Sequence, residues 1–184
     1  MIRIFDFYFS LFGLVLLSPL LLIVWVIAWF DNGSPLFFQE RVGRHKKPFM
    51  LVKFRTMPPD TLSIATHFAD ASTISQFGFF LRRSKLDELP QLFNVVRGEM
   101  SLVGPRPCLF NQEKLITQRA SLGVFNVRPG ITGLAQIQGI DMSTPNLLAK
   151  TDAYMISQMS IKNYFKYIFL TIVCKGQGDK VFHK

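Results

Sequence analysis

Between Phe7 and Phe30 no residue carries a charge, and this one stretch limits what the chain can fold into. As a helix rising about 1.5 Å per residue it would extend roughly 36 Å, enough to cross the hydrocarbon core of a bilayer. Pro19, directly after Ser18, sits in the middle of it. Proline has no N–H to donate, and its ring clashes with the preceding turn, so a kink is expected there. The carbonyl freed by the kink needs a donor, and the Ser18 hydroxyl is within local reach. Two topologies follow. A straight span with positive charge inside would place Arg41, Arg44, Lys46 and Lys47 in the cytoplasm and export the amino terminus, against the charge of Arg3. A helix broken at Ser18-Pro19 would enter and leave by the same face, keep Arg3 and the basic loop together, and is the preferred reading. A cleaved signal peptide fits less well, because the apolar stretch is too long and ends in Trp29-Phe30 without a small-x-small site.

The length of 184 residues suits that membrane element, residues 1–31, and one further domain, residues 32–184. Hydrophobic residues make up 49% of the chain, yet Lys and Arg (21) outnumber Asp and Glu (12), giving a formal charge of +9. A basic surplus points to a polyanionic partner, and the apolar excess favours lipid head groups or a phosphate-rich substrate over nucleic acid. The aromatic residues argue the same way, since 19 Phe against 4 Tyr and 2 Trp suit burial or lipid better than a base-stacking platform. Cys108 and Cys174 are far apart and belong to no CxxC pair, and His45, His67 and His183 are isolated. Reduced thiols are therefore expected, and a zinc site is not.

After the apolar stretch, Asn32-Gly33-Ser34-Pro35 is a helix breaker. Leu36 to Val42 and Phe49 to Arg55 read as two strands pairing across the basic turn Gly43 to Pro48, with Lys53 and Arg55 on one face. That face is either a phosphate contact or simply solvated. Met57 to Ser72 reads as a loop. Ile74, Phe77 and Leu81 recur at helical spacing, with Phe79 and Phe80 adding bulk and Arg82-Arg83 closing the segment. Such a helix suits a lipid interface, although ordinary core packing also explains its rings. Ile161, Tyr164, Phe165, Ile168, Phe169 and Ile172 predict an amphipathic helix facing core or membrane. The tail after Gly176 is polar and short. The fold class expected is α+β and mainly helical, with a small β-hairpin and interfacial amphipathic helices.

Ser84, Asp87 and Pro90 together resemble a helix start, since proline is tolerated only in a first helical turn. Asp87 and Glu88 would then lie near a helix amino terminus, where ionised carboxylates are favoured and an anionic substrate can approach. One carboxylate can bind a divalent cation while the other attacks phosphorus. An Asp-Glu pair in that position is also an ordinary capping device. Gly98 to Pro107 fixes Arg106 between two prolines, and Arg128-Pro129-Gly130 does the same for Arg128. An arginine on such a support offers a preorganised fork for phosphate oxygens. With Lys53 and Arg55, four cations could converge on a diphosphate.

Four segments carry a resemblance: Lys53 to Met57 (KFRTM), Leu86 to Leu92 (LDELPQL), Ser101 to Pro107 (SLVGPRP) and Arg128 to Gln136 (RPGITGLAQ). In these, and in the Ser18-Pro19 break, the chain resembles the small monotopic phosphoglycosyl transferases that initiate bacterial glycoconjugate assembly. The resemblance implies a re-entrant helix at the cytoplasmic face of the inner membrane and a compact catalytic core. It also implies that Asp87 attacks the β-phosphorus of a UDP-sugar, with Mg²⁺ at Asp87 and Glu88 and UMP leaving. Polyprenyl phosphate, expected to be undecaprenyl phosphate, would then take the sugar phosphate from Asp87. Glu88 would assist, and Arg106 and Arg128 would hold phosphates. Family members often carry an arginine after the Gln136-x-x-Gly139 stretch, where this chain has Ile140 and Asp141. A membrane scaffold that recruits glycosyltransferases without catalysis is the alternative reading.

Overall fold

The computed structural model describes residues 2–58 and 74–173. The expected loop Met57 to Ser72 falls largely outside those residues, as do Cys174, His67, His183 and the tail. The fold is mainly helical with two small two-stranded sheets.

Two helices open the chain, α1 (Ile2–Leu16) and α2 (Ser18–Asn32), bent by 64° across the break at Leu17. The missing N–H of Pro19 leaves the Val15 carbonyl without its helical donor, and the Ser18 hydroxyl supplies one at 2.8 Å. Neither helix alone is long and apolar enough to cross a membrane, whereas the bent pair together passes by length and composition. Gly33, left-handed at φ 67°, closes α2 by donating to Trp29. Much of the pair is exposed and apolar, with Tyr8, Phe12, Trp29 and Phe30 among its surface side chains.

The first helix is nonetheless tied to the rest of the chain by charges that lie before the apolar stretch. Asp6 is buried, and its Oδ1 accepts from Ser101 Oγ, Leu102 N and Tyr164 OH, each at 2.9 Å. Arg3 donates to the Val95 and Val96 carbonyls at the end of a later helix. A buried carboxylate held by three neutral donors is a strong anchor, because removing its partners would leave its charge desolvated.

Strand β1 (Leu36–Val42) pairs antiparallel with β2 (Pro48–Phe54), so that Phe37 faces Lys53. This is the expected hairpin, displaced by one residue in β2. Helix α3 (Gln76–Ser84) begins at Ser75, whose hydroxyl accepts from Gly78 N at 2.9 Å. Phe79 and Phe80 are exposed on it, while Leu81 packs with Val24 and Phe54. Helix α4 (Gln91–Arg97) follows. Its Asn94 bridges to β2, accepting from Val52 N at 3.1 Å and donating to Met50 O at 2.7 Å.

The two glycine-proline turns of the sequence turn out to be parts of one sheet. Strand β3 (Ser101–Val103) and β4 (Gly130–Thr132) pair in parallel, Ser101 opposite Gly130 and Val103 opposite Thr132. A Cβ on Gly130 would lie 2.0 Å from Gly104 N, so the two backbones pass too closely for any side chain. Helices α5 (Glu113–Ser121), α6 (Leu134–Ile137) and α7 (Pro145–Ser157) have no counterpart in the sequence reading. Helix α8 (Ile161–Val173) does. Its expected stripe divides: Tyr164 is buried, together with Tyr167 from outside the stripe, while Ile161, Phe165, Phe169 and Ile172 stay exposed.

The close approach at Gly130 makes a direct prediction. Gly130→Ala lowers stability by about 3 kcal/mol or more, since the methyl group meets backbone rather than a movable side chain. Ala at exposed Gly33 costs only about 1 kcal/mol, from strain at positive φ. Thermal melting of the two variants in one detergent measures the difference, and equal losses would refute the packing argument.

Candidate active site

Asp87 and Glu88 lie in a single 3₁₀ turn, Leu86–Glu88, between α3 and α4. Ser84 does not start a helix; it is the last residue of α3, and its hydroxyl donates back to the Phe80 and Leu81 carbonyls. Lys85 is left-handed at φ 58° and ends α3. Pro90 cannot donate to the Leu86 carbonyl, which instead accepts from Leu89 N at 3.2 Å, so the chain turns tightly before α4 begins. Pro90 is the residue capping α4, which agrees with the place expected for it.

Asp87 is only 7% exposed. Three cations act on it: Lys53 from β2, Arg82 from α3 and Arg106 from the turn after β3. Burial first, and the neighbouring Glu88 second, push the Asp87 carboxyl up to about 7 against the pull of those cations. Lys53 is pushed below the usual lysine range, chiefly by burial, while Asp87 works in the opposite direction. Arg106 Nη2 donates to Glu88 Oε1 at 3.1 Å, leaving both side chains partly exposed. Arg82 donates from Nε to Thr56 Oγ1 at 2.9 Å and is partly buried. Sequence reasoning did not place Arg82 at the site, although its position one turn before Asp87 was the available signal.

The turn carrying Arg106 is held by four hydrogen bonds. The carbonyls of Pro105, Arg106, Pro107 and Cys108 accept from Gly130 N, Arg119 Nη1, Arg41 Nη1 and Val42 N, at 2.9, 2.8, 3.0 and 2.9 Å. Arg119 is 1% exposed, and it also binds Asp152 Oδ2 through Nε at 2.9 Å and Nη2 at 2.7 Å. Neither Arg41 nor the Arg119–Asp152 pair was singled out from sequence as part of this support.

The remaining expected cations lie elsewhere. Arg55 shares a face with Lys53, and both stand over the Phe37 ring, at 5.5 and 5.3 Å from its centroid. Arg55 donates to the Ser34 and Leu36 carbonyls. Arg128 donates from Nε to Gly98 O at 2.7 Å and lines a different cavity, with Arg3 and Arg44. Ile140 packs into the core near Val42 and Leu148. Asp141 accepts from Ser143 N and Oγ, closing a local turn before α7.

Among the described residues no cluster of three or more His, Cys, Asp or Glu could hold a metal ion. Two adjacent carboxylates still fit Mg²⁺, which is bound through one or two carboxylates with water and substrate phosphates completing its octahedron.

A buried acid beside a second acid, with three cations of which Arg106 is held on a fixed turn, is suited to phosphoryl chemistry. The profile described as bacterial sugar transferase matches residues 1–177. The chain is 36% identical over 173 residues to the uncharacterized sugar transferase EpsL of Bacillus subtilis, covering 94% of this chain and 83% of that protein. It is 32% identical to the exopolysaccharide production protein ExoY of Sinorhizobium fredii, with 96% and 87% covered. It is 30% identical to the undecaprenyl-phosphate galactose phosphotransferase of Salmonella typhimurium, covering 96% of this chain and 41% of that longer protein. The chain belongs to the bacterial sugar transferase family, in agreement with the motifs.

Raising an acid's pKa on folding makes its ionisation a cost to the fold, small near the unfolded carboxylate range and complete above about 7 for Asp87. Asp87→Asn is therefore expected to raise Tm more at pH 8 than at pH 5. Equal shifts at the two pH values, measured by scanning fluorimetry, would show that the carboxyl carries no such cost.

Proposed function

We propose that this chain transfers a sugar 1-phosphate from a UDP-sugar to polyprenyl phosphate, in particular undecaprenyl phosphate, and so initiates glycoconjugate synthesis. The observation that carries the reading is the buried Asp87, paired with Glu88 and set among Lys53, Arg82 and Arg106. The names of relatives support the coarser part: one acts with undecaprenyl phosphate and galactose, and another serves exopolysaccharide production.

In the first step an ionised Asp87 oxygen attacks the β-phosphorus. The Asp87 O–P bond forms, the bond from that phosphorus to the bridging oxygen breaks, and UMP leaves with the electron pair. In the second step a phosphate oxygen of the lipid attacks the same phosphorus, and the Asp87 carboxylate is released. Lys53 and Arg106 hold the diphosphate oxygens, and Arg55 stands at the edge of the same strand face. Glu88, oriented by Arg106, assists on the acceptor side. Mg²⁺, held by Asp87 and Glu88, would supply positive charge against the diphosphate. Placement and charge stabilisation provide most of the acceleration in such transfers.

The bent α1–α2 pair is read as a re-entrant element in the bacterial inner membrane, entering and leaving on the cytoplasmic face. Its break at Pro19 and its exposed aromatic surface support that seat. A lipid acceptor then meets the site without leaving the bilayer. A catalytically silent scaffold is disfavoured by the intact acid pair and its cations.

Asp87→Asn is expected to abolish UMP release from UDP-sugars in a detergent-held assay, while Glu88→Gln lowers it by about 10²-fold. Full turnover by the Asp87 variant would dismiss the assignment. Because the nucleophile must be ionised, the rate should climb as pH rises through about 7, and chelation by EDTA should stop it. A phosphosugar adduct on Asp87 should accumulate under single turnover without acceptor; intact-mass measurement that consistently lacks it argues for direct transfer.

A further inference from the structure

Lys53, Arg82 and Arg106 act on Asp87, but Arg128 stands in a separate basic group. It lines a cavity of about 270 Å³ with Arg3 from α1 and Arg44 from the turn between β1 and β2. Each guanidinium is fixed by backbone: Arg3 by the Val95 and Val96 carbonyls, Arg44 Nε by Asn126 O at 2.9 Å, and Arg128 Nε by Gly98 O at 2.7 Å. Among the described residues, the terminal nitrogens of Arg44 and Arg128 make no hydrogen bond. Those are the nitrogens that form a fork for an oxyanion.

The charge of this cavity is not balanced from within. Its one carboxylate, Asp6, already accepts three neutral donors on Oδ1. Three cations therefore face one anion, and burial together with the charges of Arg3 and Arg44 pushes the Arg128 pKa down. An anion would remove that repulsion. The wall also includes Ile2, Val103, Met155, Ile156 and Met159, so the ligand has an apolar part beside its charge. The volume lies just below the usual range of about 300–1,000 Å³ for small-molecule sites, room for a phosphate and a short ester but not for a whole nucleotide sugar.

We infer that this cavity is a second phosphate-ester site, separate from the Asp87–Glu88 pair, in which Arg44 and Arg128 grip the phosphate and the methionine-rich wall holds its apolar substituent. The same chemistry is offered by a soluble phosphate monoester and by a phospholipid head group. Site-resolved modification of arginines by phenylglyoxal, read by peptide mass spectrometry on the full chain, distinguishes them. One arm adds inorganic phosphate, against sodium chloride at equal ionic strength. The other compares nanodiscs of phosphatidylcholine with and without phosphatidylglycerol.

The expected result is at least fivefold slower modification of both Arg44 and Arg128 in one arm. Protection by inorganic phosphate identifies a soluble ester, and protection by phosphatidylglycerol alone identifies the lipid. Absence of protection in both arms overturns the site. Arg44→Gln, a change at an exposed side chain, should weaken the protection of Arg128; undiminished protection there overturns the shared grip. The readout is binding and not UMP release, so its failure leaves the transfer reaction standing.

Discussion

The structure depends most on the way one short turn is suspended. Four successive carbonyls, from Pro105 to Cys108, accept from three parts of the chain: the backbone of β4, Arg119 on α5, and the adjacent Arg41 and Val42 at the end of β1. No one of these bonds is worth much more than about 1 kcal/mol net, or somewhat more where the donor is charged. Together they remove the freedom of the loop that presents Arg106, so the entropy of ordering that loop is lost once, during folding. The glycines serve the same end. Gly104 and Gly130 let two backbones touch, and that contact joins what the sequence presents as two independent motifs.

Parts of this were legible in the residues and parts were not, for physical reasons. The broken helix could be read because proline chemistry is local: the loss of one N–H at Pro19 and the nearby Ser18 hydroxyl predict the repair that occurs. The hairpin could be read because alternation and a basic turn are local too. The parallel pairing of β3 with β4 could not, since each strand is three residues long and its partner lies nearly thirty residues away. Helices α5 and α7 escaped for a different reason: their buried faces include Arg119 and Asp152, which cancel each other's charge in space but look like surface residues in sequence. The split of cations into two groups was hidden in the same way, because four arginines and lysines on rigid supports give no hint of which cavity each one faces. Asp6, one residue before the uncharged stretch, gave no periodic signal that it would be buried.

At the acid pair, stability and chemistry oppose one another. Burial raises the proton affinity of Asp87, which costs the fold at neutral pH yet leaves its carboxylate with few water molecules around it. The surrounding cations limit that cost without abolishing it. A fully exposed carboxylate would be easier to ionise and worse placed, and a fully buried one without Lys53, Arg82 and Arg106 would stay protonated.

Arg3 gives the molecule a mechanical property. It grips the last carbonyls of α4, and the other end of that seven-residue helix is the proline that follows the acid pair. At about 1.5 Å per residue, α4 is a strut of roughly 10 Å between the root of the first helix and the turn that carries the acid pair. The spacing between the start of α1 and the turn that carries Asp87 and Glu88 is thus set by a short helix rather than by a flexible tether.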